Sequence, residues 1–568
     1  MGLLFKLLVI SFFLVSCSET EPEAPNSTSV YLGGVIYTGV DEILTVQAVV
    51  VIGNRISFVG SEEGALALLG ESGEIIDLNG AFMYPGFTDA HAHLLGIGQR
   101  ELILNLEGST SIADVQQRLR DYAGMVPEGE NIVGRGWIET HWPEARFLTR
   151  HDIDAVVPDR PVMLGRSDGH AVTVNSAGLE FLGITKETPV PEGGAILLDE
   201  NGELTGVLVD AAAAGPEAIF YQALSRRRPE AYEASSDFLV RHGWTQIHNM
   251  GDAFDDSGVI EALSDEGKIK VRVYNSLQGY FPGVGPNPAV YEFLEQGPRR
   301  SKNGLVITRA IKLYMDGALG SRGALLLKPY SDSNTLGLPL ADRDIYLDLM
   351  KTALEKGIQV NTHAIGDGGN RLLLDWYAEV FAAVPEESRA IANPRWRDEH
   401  TQILDPADIP RFAELGVIPS MQPSHAIGDL YFAPDRLGQD RLVGAYAWQA
   451  LIDAGSIIAG GSDAPVERGD PRIEFYAAVA RKSLDGFSGE GWHPENAVSR
   501  TNALKMFTIW PAYAAFQEND LGTIEVGKLA DFTIFSTDIM TISEPDILIT
   551  QVIMTVVDGR IVYRNPEF

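Results

Sequence analysis

The sequence predicts an α/β chain with three parts: a (β/α)8 TIM-like barrel, a composite β-sandwich built from both termini, and a large insertion after barrel strand 1. Three observations carry this prediction. Strand-like runs alternate with helix-like stretches through the middle of the chain, the pattern of a parallel sheet with crossover helices. Both ends consist of short apolar runs broken by turn residues. About 150 residues separate the first two barrel runs, far more than one crossover needs.

Eight runs supply the barrel: FTDAHAH (87–93), TQIHNMG (245–251), KVRVYNSL (270–277), ITRAIKLYMDG (307–317), IQVNTHAIGD (358–367), RDEHTQIL (397–404), GVIPSMQP (416–423) and SIIAGGSDAP (456–465). From the second onward they recur every ~25–50 residues, the spacing of βα units, and eight suggest closure. Helix-like LDLMKTALEKG and DIPRFAELG precede the fifth and seventh. The insertion is expected at about 100–235, beginning at the strand end where barrel enzymes build their sites. Residues 30–84 and 515–568 are each too small for a stable sandwich, so they are expected to pair around the barrel of residues 85–514. Asp558-Gly559 between two apolar runs is a hairpin signal.

Composition narrows the function. The 568 residues are 45% hydrophobic, which is globular, and carry a net charge of −34. That charge argues against nucleic acid or an anionic membrane surface as partner. The single cysteine, Cys17, excludes an intrachain disulfide and a thiolate metal site. Residues 1–16 carry Lys6 and an apolar run too short to span a bilayer, as in a signal peptide. They end in Leu14-Val15-Ser16-Cys17, which resembles the lipobox of bacterial lipoproteins. The expectation is an exported cell-envelope lipoprotein, held to the membrane only by lipid on Cys17 and a flexible tether of residues 17–29. No later run reaches about 18 uninterrupted apolar residues.

His91 and His93 are two apart at the end of the first strand, so both imidazoles face one side, half of a metal site. His363 lies near the end of the fifth strand, His400 sits in the sixth and Asp463 ends the eighth. Parallel barrel strands bring such residues to one mouth. Nitrogen and oxygen donors without sulfur suit zinc, manganese, nickel or iron. Lys312 interrupts an apolar run, where a buried ammonium is costly. It is either paired with an acid, Asp316 being the candidate, or a neutral amine that has become a carbamate.

The run Tyr84-Pro85-Gly86-Phe87-Thr88-Asp89-Ala90-His91-Ala92-His93 resembles the signature of the amidohydrolase superfamily. Leu521-Gly522-Thr523-Ile524-Glu525-Val526-Gly527-Lys528-Leu529-Ala530-Asp531-Phe532 resembles its C-terminal motif. Ile311 to Arg322, Asp168-Gly169-His170 with Asn175, His363 to Asp367 and Gly461 to Pro465 are similar to the YtcJ-like branch containing N-substituted formamide deformylases. The resemblance implies one or two divalent ions, zinc foremost. His91 and His93 would hold the more buried ion with Asp463 in contact, and His363 and His400 the second. Lys312, as a carbamate derived from CO2, would bridge them. It implies hydrolysis of a C–N bond in a small amide, N-formyl or N-acyl substrate, with Asp463 as proton shuttle. A cyclic imide or ester substrate, or a non-catalytic surface binding lipoprotein, is the alternative. His170, Trp137 and Asn175 in the insertion, together with Arg322, are the candidates for substrate contact. The plainer alternative is that Trp137 is core and that the polar residues of the insertion satisfy loop backbone.

Overall fold

The computed structural model describes residues 27–568, apart from 42, 72, 140–141, 167–170, 192–193, 283 and 490. The signal segment, Cys17 and His170 therefore lie outside the described residues.

The barrel strands are β1 (Phe87–Ala92), β2 (Trp244–Asp252), β3 (Arg272–Gln278), β4 (Val306–Tyr314), β5 (Gln359–Ala364), β6 (Arg397–His400), β7 (Ile418–Met421) and β8 (Ala459–Gly460). They pair in chain order, and every adjacent pair is parallel. All eight match the runs named above. Every residue of β1, β3, β6 and β7 is buried, because helices cover the outer face and the barrel fills the inner one.

Side chains draw β8 back to β1. Asp89 accepts from the Ser462 backbone N–H at 2.9 Å and from its hydroxyl at 2.5 Å. The Asp463 N–H donates to the His91 carbonyl at 2.6 Å. Gly461 fits this seam because any Cβ would stand 2.4 Å from the His91 nitrogen.

The sandwich is composite, as the two ends of the sequence suggested. One sheet runs 560–564, 552–557, 532–535, 82–85, 35–40, 43–46, and so mixes both termini. Its central pairing sets Met83 opposite Ile534. The facing sheet is N-terminal, in the order 55–60, 48–52, 28–32, 74–77. Tyr31, Val49 and Val51 of one sheet pack with Phe532, Ile534 and Met554 of the other. Asp558 and Gly559 take positive φ (55° and 73°) in a hairpin turn.

The insertion leaves through the helix Leu94–Glu101, which packs on the helix Arg228–His242 leading into β2. Their backbones touch so closely that a Cβ on Gly98 would meet the Ala231 carbonyl. Between them lies a sheet in the order 194–198, 204–210, 171–174, 162–166, 132–137, 104–105. The inserted part thus ends near residue 227 rather than 235. No helix among the described residues is long and apolar enough to cross a membrane.

Candidate metal centre

The C-terminal ends of the strands converge on a buried polar cluster. His91 and His93 follow Asp89 at two-residue steps and project inward from the end of β1. The His91 and His400 rings lie 4.6 Å apart, and those of His363 and His400 4.5 Å apart. Asp463 Oδ1 is 3.0 Å from His93 Nε2 and 3.5 Å from His91 Nε2. The expected cluster of His91, His93, His363, His400 and Asp463 is therefore assembled in one place.

Two backbone distortions make it possible. Glu399 and His400 are sequence neighbours, which a regular strand would point to opposite faces. His400 has φ of 82°, which lets both side chains reach the barrel interior. Asp463 has φ of 61° where β8 ends. Left-handed backbone in a residue with a Cβ costs roughly 1–3 kcal/mol and gathers at functional sites.

The histidines are oriented from behind. His91 Nδ1 meets Glu399 Oε2 at 2.5 Å, and His93 Nδ1 meets the Met250 carbonyl at 2.7 Å. His400 Nδ1 meets Gln422 Oε1 at 2.8 Å, while the Gln422 amide nitrogen is tied to the Ser420 carbonyl. All three partners are acceptors, so the hydrogen sits on Nδ1 and Nε2 offers its lone pair inward. Glu399 is anchored by Arg397, whose Nε lies 2.8 Å from its Oε1 and whose Nη1 lies 2.8 Å from His248 Nδ1. Burial alone would raise the Glu399 carboxyl, but Arg397 and then His91 outweigh it and hold it low.

Charge states favour ligation. Burial and the Lys312 ammonium lower His91 to about 4 and His363 to about 3. Burial and His363 hold His400 well below its usual range. These imidazoles are neutral at pH 7, as ligands must be. Burial pushes Asp463 up, but contacts with His425 and His93 outweigh that and keep it ionised.

Lys312 is 1% exposed and projects from β4. Burial lowers it to about 8. It does not pair with Asp316, which corrects that alternative. The Asp316 carboxylate is taken by the backbone N–H groups of Leu325, Ile365 and Gly366. Its Oδ1 instead stands 3.7 Å from His363 Nε2. Lys312 Nζ lies 5.3 Å from the centroid of the Tyr314 ring.

Two groups have ligand atoms mutually within 4.8 Å: His91, His93 and Asp463, and His400, His425 and Asp463. The His91 and His363 Nε2 atoms are buried without a hydrogen-bond partner among the described residues. Orphaned imidazole nitrogens beside an ionised carboxylate fit a borderline divalent cation.

The substrate-contact expectations fare differently. Trp137 is wholly buried among Leu106, Trp142 and Leu164, and its indole donates to the Leu164 carbonyl at 2.9 Å. Asn175 caps the helix Ser176–Leu182 and also bonds the Val162 N–H and the Val157 and Arg160 carbonyls. Both are framework of the insertion, the plainer of the two expectations. Arg322 forms an ion pair with Asp332 at 2.8 Å.

Three interior residues escaped the sequence reading. His425 lies two residues beyond the seventh run. Glu399 is hidden by strand alternation. His248 shows only as one polar residue in a buried strand.

A (β/α)8 barrel whose mouth gathers imidazoles and a carboxylate in this way defines a metal-dependent hydrolase. The chain belongs to the amidohydrolase family, whose model matches residues 74–563. It is 34% identical to YtcJ of Bacillus subtilis (strain 168), named for the same family, over 94% of this chain and 99% of that one. It is 27% identical to an N-substituted formamide deformylase of Arthrobacter pascens, over 91% and 95% of the two chains. An uncharacterized metal-dependent hydrolase from Pyrococcus furiosus superposes with a TM-score of 0.72 at 26% identity, covering 90% of this chain and all of that one.

Proposed function

We propose that this chain hydrolyses a C–N bond of a small amide, with N-formyl and N-acyl amines the first class to test. The observation that carries the reading is the set of inward Nε2 lone pairs on His91, His93 and His400 beside the ionised Asp463. The deformylase name of one relative points the same way.

His91, His93 and Asp463 would hold one divalent ion, zinc being well suited. His363 and His400, with Lys312 as a carbamate, would hold a second. A metal ion there would acidify water and polarise a carbonyl. The chain's own residues do the rest. Asp463 takes a proton from the attacking water as its oxygen adds to the carbonyl carbon and the C=O pair moves onto oxygen. When that pair returns, the C–N bond breaks. Asp463 gives its proton to the departing nitrogen, which otherwise would leave as a very basic anion. Glu399 and Gln422 keep His91 and His400 in the ligating tautomer throughout. Lys312, lowered to about 8, is partly neutral at physiological pH and so competent to add CO2 and lose a proton.

The test is turnover of an N-formyl and N-acyl amine panel by zinc-loaded and chelated protein. Release of amine and acid that stops with chelation supports the reading. A metal-replete protein inert across the panel overturns it. We further propose export and lipid tethering through Cys17, on the lipobox-like run Leu14 to Cys17. Cys17→Ala should release the protein from membranes, and unchanged membrane association would contradict this.

A further inference from the structure

His425 belongs to neither the sequence expectation nor the ligand roles above. It begins to stand out where β7 ends, in the helix Pro423–Asp429, and is 7% exposed. Its Nε2 lies 3.4 Å from Asp463 Oδ2, and its ring lies 5.8 Å from that of His400. By position it qualifies as a metal ligand together with His400 and Asp463. The hydrogen-bond partners argue otherwise.

His91, His93 and His400 each turn Nδ1 to an acceptor: a carboxylate, a carbonyl and an amide oxygen. That leaves Nε2 bare. His425 is the reverse. Its Nδ1 faces the amide nitrogen of Gln402 at 2.8 Å. An amide nitrogen only donates, so Nδ1 is not the donor there, and Nε2, which faces the Asp463 carboxylate, carries a hydrogen. A nitrogen carrying a hydrogen has no lone pair for a cation. Its direction is also telling. Nε2 aims at Oδ2 of Asp463, whereas His91 and His93 face Oδ1. One carboxylate thus divides the site into a ligand side and a donor side.

We propose that His425 is a hydrogen-bond donor to the carbonyl oxygen of the scissile amide and not a metal ligand. This rests on the amide-hydrolase reading above. A substrate seated against Asp463 offers its carbonyl oxygen to Nε2–H in place of Oδ2. As water adds, the C=O pair becomes an oxyanion, and a donor already in place stabilises that charge more than the neutral carbonyl. His425 keeps its proton. The proton that moves is the one carried by Asp463.

The experiment compares metal content and steady-state kinetics of wild type with His425→Leu, His425→Gln and His425→Asn. The Gln amide nitrogen reaches the place of Nε2, and the Asn amide only that of Nδ1. All three variants should keep the wild-type metal content. His425→Leu should lose about 10²–10³-fold in kcat with little change in KM, as expected for a donor used in the transition state. His425→Gln should recover at least about tenfold of that loss, while His425→Asn stays as slow as Leu. If His425→Leu fails to fold, the Gln-to-Asn difference at equal metal content carries the test. Loss of metal from folded Gln and Asn variants overturns the proposal in favour of ligation. Unchanged kcat in Leu or Asn overturns it as well. If wild type turns over no amide, the functional reading fails, yet metal content still decides between ligand and donor.

Discussion

The two ends of the barrel both bury charge, and they treat it in opposite ways. At the N-terminal end, Arg272 opens β3 and meets Asp531 at 2.7 Å and 3.0 Å and Asp558 at 2.9 Å. Asp531 also accepts from the Asp558 N–H, and Asn54 donates to the Asp558 carboxylate at 3.0 Å. The guanidinium is thus shared by two carboxylates, and the network rivets the barrel to both halves of the sandwich. At the C-terminal end the arrangement is left open. The His91 and His363 Nε2 atoms have no hydrogen-bond partner among the described residues, and burial lowers Lys312 by more than Glu399 and Asp463 raise it. A buried charge with its partners is structure. Convergent buried polar atoms without partners are a site waiting for a ligand.

The largest expected effect breaks the open end. Asp463→Asn should cost about 10⁴-fold in kcat, near the upper range for a lost acid–base group. Metal should largely remain, since the histidines persist. Near-normal turnover at full metal content would remove Asp463 as the proton carrier.

Next comes the closed end. Arg272→Met strands the buried Asp531 carboxylate, leaves the half-buried Asp558 without its guanidinium, and should destabilise by about 3–5 kcal/mol in urea unfolding. The metal content of the folded fraction should not change. A loss of metal matching the loss of stability would mean that the two ends are not independent.

Lys312 links the comparison to pH. In metal-free, CO2-free protein its folded pKa is about 8, against 10.5 unfolded. Between these values the unfolded chain holds the extra proton, so stability rises with pH, by up to about 1.4 kcal/mol per unit. Lys312→Met lacks this term. Its stability advantage should be greatest below pH 8 and shrink toward pH 10.5. A pH-independent difference would show that burial does not lower Lys312. With metal, Lys312→Ala should lose at least one ion, and bicarbonate should speed wild-type reconstitution but not that of the variant.

The smallest effect concerns Glu399, which would act on a metal ion through His91. Glu399→Gln should weaken metal affinity about 10–100-fold in chelator competition. Unaltered affinity would remove its positioning role.

Most of the fold was legible because barrel strands bury both faces and repeat at a regular spacing. The two-residue step of His91 and His93 likewise follows from strand geometry alone. What stayed hidden depends on departures from regularity. The positive φ of His400 brings Glu399 and His400 to one side, which no alternation rule anticipates. His425 lies past its strand, where only the closed barrel shows what faces it. Trp137 and Asn175 are residue types equally suited to a core, a cap or a pocket, and only their partners separate these roles.

If the open end is a metal centre, the dialysed full-length chain carries metal that elemental analysis can count. Wild type should hold at least one divalent ion per chain, and chelation followed by zinc should restore it. His91→Asn should bind less, whereas Arg272→Met should match wild type. A wild-type chain that takes up no divalent ion from excess zinc, with folding intact, would show that the open end is not a metal centre.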